Sequence, residues 1–146
     1  MSPPTPALQL QNHFNLPFSD PTLLLGALLA AGVKTREGNK SLGLIGDTAL
    51  QLYLQVKGRE RGMSLERISL TISRVAGNKN LAQRGFELGI DKYIYNNPSQ
   101  GSYISDKLMA TTMEAIVGAY FEDQGKEFEA LERVVGVLGL GWPEGE

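Results

Sequence analysis

The chain has 146 residues, 42% of them apolar and 21% charged, which suits one globular domain with a single core. Its formal net charge of −2 suits it poorly to coating nucleic acid through bulk charge, although a local basic patch is compatible with this value. Because there is no cysteine and one histidine, thiolate chemistry and most histidine-based sites are excluded, and hydrolysis would need carboxylates and a hard metal ion.

No segment has the length of a membrane span. The longest apolar run, residues 23–33, is shorter than the roughly 18 residues that a spanning helix requires. No Lys or Arg occurs before position 34, which argues against a secretory signal and against an Arg-rich transit peptide. We therefore expect an intracellular protein, cytoplasmic or mitochondrial, that is neither secreted nor bound in a membrane.

The beginning of the chain is Pro-rich and weakly patterned, which predicts an extended lead-in with at most a short helical turn near residues 8–13. Ser19 or Asp20 followed by Pro21 is typical of a helix start, and Gly32 follows the apolar run. This pattern divides the chain into an extended lead-in, a helical domain and an acidic tail, which cover residues 1–18, 19–141 and 142–146.

The rest of the chain has apolar residues at helical spacing, broken by glycine and by polar loops. Turn residues dominate positions 91–105, and no stretch shows the sustained alternation of a strand. With the helix after Pro21, the predicted elements make an all-α domain of about six helices, the others covering residues 41–57, 65–77, 78–89, 106–125 and 126–139.

Two of these helices carry an acid in an apolar setting. Asp47 lies among leucine and isoleucine, and Glu114 lies between methionine and alanine. Position 43 shares a helix face with Asp47, and position 111 shares one with Glu114. Two helices meeting on these faces would bring four positions together, and four carboxylates there would bind Mg²⁺ for phosphodiester hydrolysis. Gly43 and Thr111 occupy the other two positions.

Three stretches, in this order, resemble the ribonuclease III family. NKSLGLIGDTAL resembles the family signature N-E-R-L-E-F-L-G-D-A-V-L, and DKLMATTMEAIVGAYFEDQG resembles the second acidic helix, K-x-L-A-D-x-F-E-A-x-I-G-A-x-Y-x-D-x-G. Between them, ISRVAGNKNLAQRGFELGIDKYI resembles the linking pattern L-V-S-N-x-x-L-A-x-x-A-x-x-L-G-L-x-x-Y-I. Spacing and order agree over about residues 20–137.

The resemblance implies an α-helical, homodimeric endonuclease domain that cuts double-stranded RNA with Mg²⁺, which four acids bind. Two of those acids correspond to Asp47 and Glu114, whereas the other two fall on Gly43 and Thr111. An outer acid of the first motif falls on Lys40. A further family acid falls on Ser64, with Glu66 close by.

Each candidate residue also has an ordinary structural interpretation. Asp47 could pair with Lys40, and Glu114 could hydrogen-bond to Thr111 or Thr112. Gly43 could reflect close helix packing or drift after the acid was lost. A set of basic residues near the ends of the second helix could contact RNA phosphates or form a solvated surface; its members are Lys34, Arg36, Lys40, Lys57, Arg59 and Arg61.

Several helices are apolar beyond one narrow stripe, as a face buried against a second copy would require. The residues concerned are Leu44, Leu50, Leu54, Met113, Val117 and Phe121. The resulting hypothesis is a homodimeric ribonuclease III relative that acts on structured or double-stranded RNA. Its Mg²⁺-dependent cleavage would be weak or absent, and with no cleavage at all it would be a pseudoenzyme. The alternatives are a non-catalytic structural protein, such as a mitochondrial ribosomal subunit, or a fold re-used for other chemistry.

Overall fold

The computed structural model describes residues 5–145, which form seven α-helices and two short 3₁₀ turns, Ile90–Tyr93 and Pro98–Gln100. Within this range the extended pairing consists of one isolated bridge between Leu29 and Tyr95. The all-α class is therefore confirmed. The helices are α1 Pro6–Phe14, α2 Pro21–Leu28, α3 Lys40–Glu60, α4 Leu65–Val75, α5 Asn78–Glu87, α6 Asp106–Asp123 and α7 Phe128–Leu138.

Helix α6 is the centre of the fold and packs against α2, α3, α5 and α7. Its apolar side chains, among them Met109, Met113 and Ile116, are fully buried. Because neighbours cover this helix on several sides, its apolar residues surround it instead of forming one stripe. None of the helices in the described part of the chain has the length and hydropathy needed to cross a membrane.

Helices α3 and α6 approach each other through their main chains. A Cβ built on Gly46 would overlap the carbonyl group of Glu114, and one on Gly118 would overlap the carbonyl oxygen of Leu42. Side chains normally keep packed helices about 8–10 Å apart, so the two glycines allow a closer contact here. Because Asp47 follows Gly46 and Glu114 lies against Gly46, this contact also fixes where these two acids lie.

The expected extended lead-in is wrong for residues 6–14, which form α1. Thr5 caps this helix by accepting a hydrogen bond from the N–H of Leu8, and Pro6 occupies its first turn. Leu10 is fully buried in the core. The Pro-rich composition suggested extended chain, but a capping threonine followed by proline is also a helix start. The first four residues of the expected lead-in lie outside the described range.

The segment before α2 and the C-terminal end of the described chain are both held on the domain. The carboxylate of Asp123, at the end of α6, accepts hydrogen bonds from the N–H groups of Ser19 and Asp20 at 2.8 and 2.7 Å. Trp142, which the sequence placed in the acidic tail, is buried with the core and packs beside Gly58. The large apolar area of this indole explains why the chain stays on the domain at that point.

Candidate functional site

The structure brings Asp47 and Glu114 together at the contact between α3 and α6. Asp47 follows Gly46, whose Cα lies against the main chain of Glu114. Both carboxyl groups are half-buried. The pKa of Glu114 is raised to about 8, first by burial and then by a hydrogen bond to Asp47 and the negative charge of Asp47. At neutral pH Glu114 therefore keeps its proton.

A protonated carboxyl group beside a second carboxyl group can exchange its proton for a divalent cation, because either positive charge reduces the repulsion between the two groups. Among residues 5–145 no cluster of three or more His, Cys, Asp or Glu side chains is present. Mg²⁺ often takes only one or two protein carboxylates and completes its shell with water and substrate phosphates. The donors provided by Asp47 and Glu114 fit one side of such a shell.

The two positions that lack acids lie next to each other. A Cβ built on Gly43 would be 3.2 Å from Cγ2 and 3.4 Å from the carbonyl oxygen of Thr111. Gly43 is buried and Thr111 is half-buried. The two positions at which the family pattern has its other acids are therefore in direct contact across α3 and α6.

The hydrogen bonds around the acid pair differ from the expected pairing of Asp47 with Lys40 and of Glu114 with a neighbouring threonine. Asp47 accepts a hydrogen bond from Nε2 of Gln51 at 3.1 Å, and no ion pair in the described range joins it to Lys40. The hydroxyl of Thr112 accepts from Nδ2 of Asn39 at 3.0 Å. The sequence reasoning missed Gln51, although its spacing of four residues from Asp47 was a usable signal.

Buried Asn39 was also missed. It stands just before α3, is 1% exposed, and its Nδ2 donates to the carbonyl of Ala27 at 2.8 Å as well as to Thr112. One side chain thus links α2, α3 and α6 beside the acid pair. An asparagine at the head of a predicted helix reads first as a cap, but here the side chain forms no cap hydrogen bond.

The basic residues suggested for RNA contact do not form one patch. Lys40 starts α3, whereas Lys57 and Arg59 lie in its last turn, about 25 Å away for a straight helix. Lys57 pairs with Glu132 and Glu60 and lies over the rings of Tyr53 and Phe128. Its charge is thus already partnered within the domain.

Arg59 and Arg61 remain exposed at the end of α3. Ser64, where a family acid would stand, instead caps α4 by accepting a hydrogen bond from the N–H of Arg67 at 3.1 Å. Glu66 is exposed in the first turn of that helix. The end of α3 and the start of α4 therefore present arginines and acids together to solvent, namely Arg59, Arg61, Arg67, Glu60 and Glu66.

An apolar groove lies on α3 beside the acid pair. Leu44 and Leu52 are 72% and 50% exposed, and Phe121 and Leu131 form the opposite wall. Most of the surplus apolar residues noted in the sequence lie in the protomer's own core: Leu50, Leu54, Met113 and Val117 are fully buried. Leu44 and Phe121 account for the part of that surplus that remains at the surface.

The fold and the facing acids of α3 and α6 define an α-helical domain with a two-carboxylate centre. The family model described as Ribonuclease III domain matches residues 40–125, more than half of the chain. The chain belongs to this family.

Individual relatives agree with this assignment. Ribonuclease 3 from Francisella tularensis subsp. novicida is 30% identical over 125 residues, which are 81% of this chain and 51% of that protein. Ribonuclease 3 from Methylococcus capsulatus is 30% identical over 128 residues, 80% of this chain and 52% of that protein. The chain thus spans about half the length of these curated relatives.

The solved structures show the same fold. The nuclease domain of ribonuclease III from Campylobacter jejuni superposes with a TM-score of 0.78 at 21% identity, over 92% of this chain and 97% of that one. A second structure of that domain also has a TM-score of 0.78 and covers 94% of this chain. The first structure is described as flexible in a region involved in dimer formation.

Proposed function

We propose that this ribonuclease III domain binds structured or double-stranded RNA and cleaves it weakly or not at all. The observation that carries the proposal is the site itself, in which Asp47 and Glu114 face each other while Gly43 and Thr111 occupy the remaining positions. A hard-cation site with half of its acids has both less charge and fewer ligands. The domain would then keep its surface for RNA while losing most of its catalytic power.

Asp47 and Glu114 would hold Mg²⁺ if the ion binds. The ion supplies a polarised water and a positive charge at the phosphate when it is bound. In this chain Glu114 must first lose its proton, and its raised pKa opposes this step at neutral pH. Gln51 keeps the Asp47 carboxylate oriented through its hydrogen bond. These features support weak binding of the ion.

The domain would act as a homodimer through the apolar groove on α3. Leu44 and Leu52 expose apolar surface on either side of Thr48, on a different face of α3 from Asp47. Exposed leucines of this size are costly in water unless a partner covers them. A second copy docked there would place two acid pairs on one particle, as cutting both strands of a duplex requires.

The test combines binding and cleavage on the same long double-stranded RNA, with Mg²⁺ or Mn²⁺. Wild type is compared with Glu114→Gln and with Glu129→Gln, which makes the same change on the exposed side of α7. We expect all three proteins to bind the duplex with a steep salt dependence. Cleavage should be slow or undetectable, and any cleavage should disappear only in Glu114→Gln. Failure to bind the duplex, or cleavage that survives Glu114→Gln, would contradict the proposal.

A further inference from the structure

A cavity of about 290 Å³ lies between the first turns of α3 and α6 and the loop that precedes α6, with Ala30, Ala31 and Leu108 as its apolar lining. Two lysines, Lys40 and Lys107, line it together with four side-chain amides and two hydroxyls. No carboxylate is among the lining residues. The side chains of the cavity therefore carry positive charge, whereas those of the acid pair are carboxyl groups.

The two lysines carry positive charge that the domain leaves unbalanced. Among residues 5–145, the ion pairs involve other cations, and both Lys40 and Lys107 are exposed. Two ammonium groups on one small cavity repel each other, and an anion between them removes this repulsion. The electrostatics of the cavity thus favour an anionic ligand.

The cavity lies about two helical turns before the acid pair on both α3 and α6. Lys40 and Asp47 are seven residues apart on α3, and Lys107 and Glu114 are seven apart on α6. Seven residues are about two helical turns, so each lysine shares a face with its acid and lies about 10 Å from it. Thr111, which lines the cavity, adds no negative charge between the two ends.

Neutral donors accompany the lysines. The hydroxyl of Ser105 accepts from the N–H of Leu108, which leaves its own proton free to donate. The side-chain amide nitrogens of Asn97 and Gln100 donate to no partner within the described range, whereas those of Asn39 and Asn96 already donate to other groups of the domain. Ammonium, amide and hydroxyl donors around one cavity are a set that suits the oxygens of a phosphate group.

We propose that this cavity binds a phosphomonoester of about mononucleotide size, with its phosphate between Lys40 and Lys107. Ligand cavities usually measure roughly 300–1,000 Å³, and this one lies just below that range, which favours a ligand no larger than a mononucleotide. The shared chemistry is the phosphate, whether it comes from inorganic phosphate, a free nucleotide or the phosphorylated end of an RNA strand. The proposal does not depend on duplex binding or cleavage.

The test is calorimetric titration of the full chain with AMP, adenosine, inorganic phosphate and a single-stranded RNA with or without a 5′-phosphate. Lys40→Gln and Lys107→Gln should each weaken AMP binding about tenfold, the loss expected for one charge-assisted contact. Lys79→Gln is the matched control, because this exposed lysine lies on α5 and lines no part of the cavity. Circular dichroism checks that each variant is folded.

The comparison of ligands identifies the source of the phosphate. Binding of inorganic phosphate as tight as that of AMP assigns the site to the phosphate alone, whereas tighter AMP or 5′-phosphorylated RNA assigns it to a nucleotide. The proposal fails if adenosine binds as tightly as AMP, if AMP does not bind at millimolar concentration, or if Lys79→Gln has the same effect as Lys40→Gln. Duplex binding, measured in parallel, tests the proposed function separately.

Discussion

Gly43 and Thr111 face each other across the contact of α3 and α6, where a Cβ on the glycine would come within 3.2 Å of Cγ2 of the threonine. These are the two positions at which the family pattern has acids. A side chain at position 43 would require the methyl group of Thr111 to shift by a few tenths of an ångström. Positions 43 and 111 are therefore coupled by packing, so a substitution at one of them is felt at the other.

Thr111→Asp is expected to restore part of a cation site. Without metal, a third carboxylate beside Asp47 and Glu114 should lower the stability by about 1 kcal/mol through like-charge repulsion. With Mn²⁺ the melting temperature should rise more than that of wild type, because the ion is then held by three acids. Thr111→Asn, which has the same shape without charge, is the control. An equal response to Mn²⁺ in both variants would argue against cation binding here.

The carboxyl pair predicts that stability falls as pH rises. Glu114 has a pKa of about 8 in the folded chain against an ordinary value of 4.5, so the folded state binds more protons between these values. The stability gained from this proton is complete below about pH 4.5 and is lost as pH rises to about 8.

Glu114→Gln should remove this dependence. Between pH 5 and 8.5 the wild-type melting temperature should fall by roughly 4–8 °C more than that of the variant, or about 2 kcal/mol after solvent screening. Glu129→Gln, on the exposed side of α7, should follow wild type. Parallel pH curves for wild type and Glu114→Gln would show that the pKa of Glu114 is not raised in the folded chain.

The close contact of α3 and α6 predicts opposite effects for the same substitution at two glycines. Gly46→Ala should cost about 3 kcal/mol or prevent folding, because the added methyl group would meet the carbonyl of Glu114. Gly136→Ala, inside α7 with open space around it, should stabilise by about 0.5–1 kcal/mol. Urea denaturation measures both. Similar stability of the two variants would mean that the helices are not in main-chain contact.

The apolar groove predicts that dimerisation depends on Leu44. Leu44→Asp should produce a monomer in light scattering coupled to size-exclusion chromatography, because a buried carboxylate there would be unpaired. Leu8→Asp, which places the same charge on a leucine that is 45% exposed on α1, should leave the dimer intact. A wild-type monomer at high concentration, or a dimer in Leu44→Asp, would exclude this interface.

Lys57 is expected to stabilise the domain in addition to any contact with RNA. Lys57→Gln removes the pairs with Glu132 and Glu60 and the contacts with two aromatic rings. The melting temperature should fall by about 2–4 °C, the effect of roughly 1 kcal/mol in a chain of this size. Arg61→Gln should instead leave stability unchanged and reduce the salt dependence of RNA binding. Reversed effects would place the RNA surface at Lys57.

Much of the fold could be predicted from the sequence because its signals are local. Helical spacing of apolar residues, Ser64 and Ser105 at cap positions and Gly125 after α6 act within a few residues of each other. The same local rules failed at α1. The prolines before α1 suggested extended chain, although Thr5 and Pro6 also form a helix start. The burial of Leu10, which stabilises this helix, depends on contacts with distant parts of the chain that local patterns do not reveal.

By itself the sequence determined which chemistry is possible, since it supplies two acids in the family positions and neither of their two companions. Only the tertiary structure decided that Gly46 and Gly118 bring those acids together, that Lys57 is partnered within the domain, and that Lys40 and Lys107 share a cavity. The reason is physical: helical spacing places a residue on its own helix, but distances between helices depend on which main chains and side chains pack against each other.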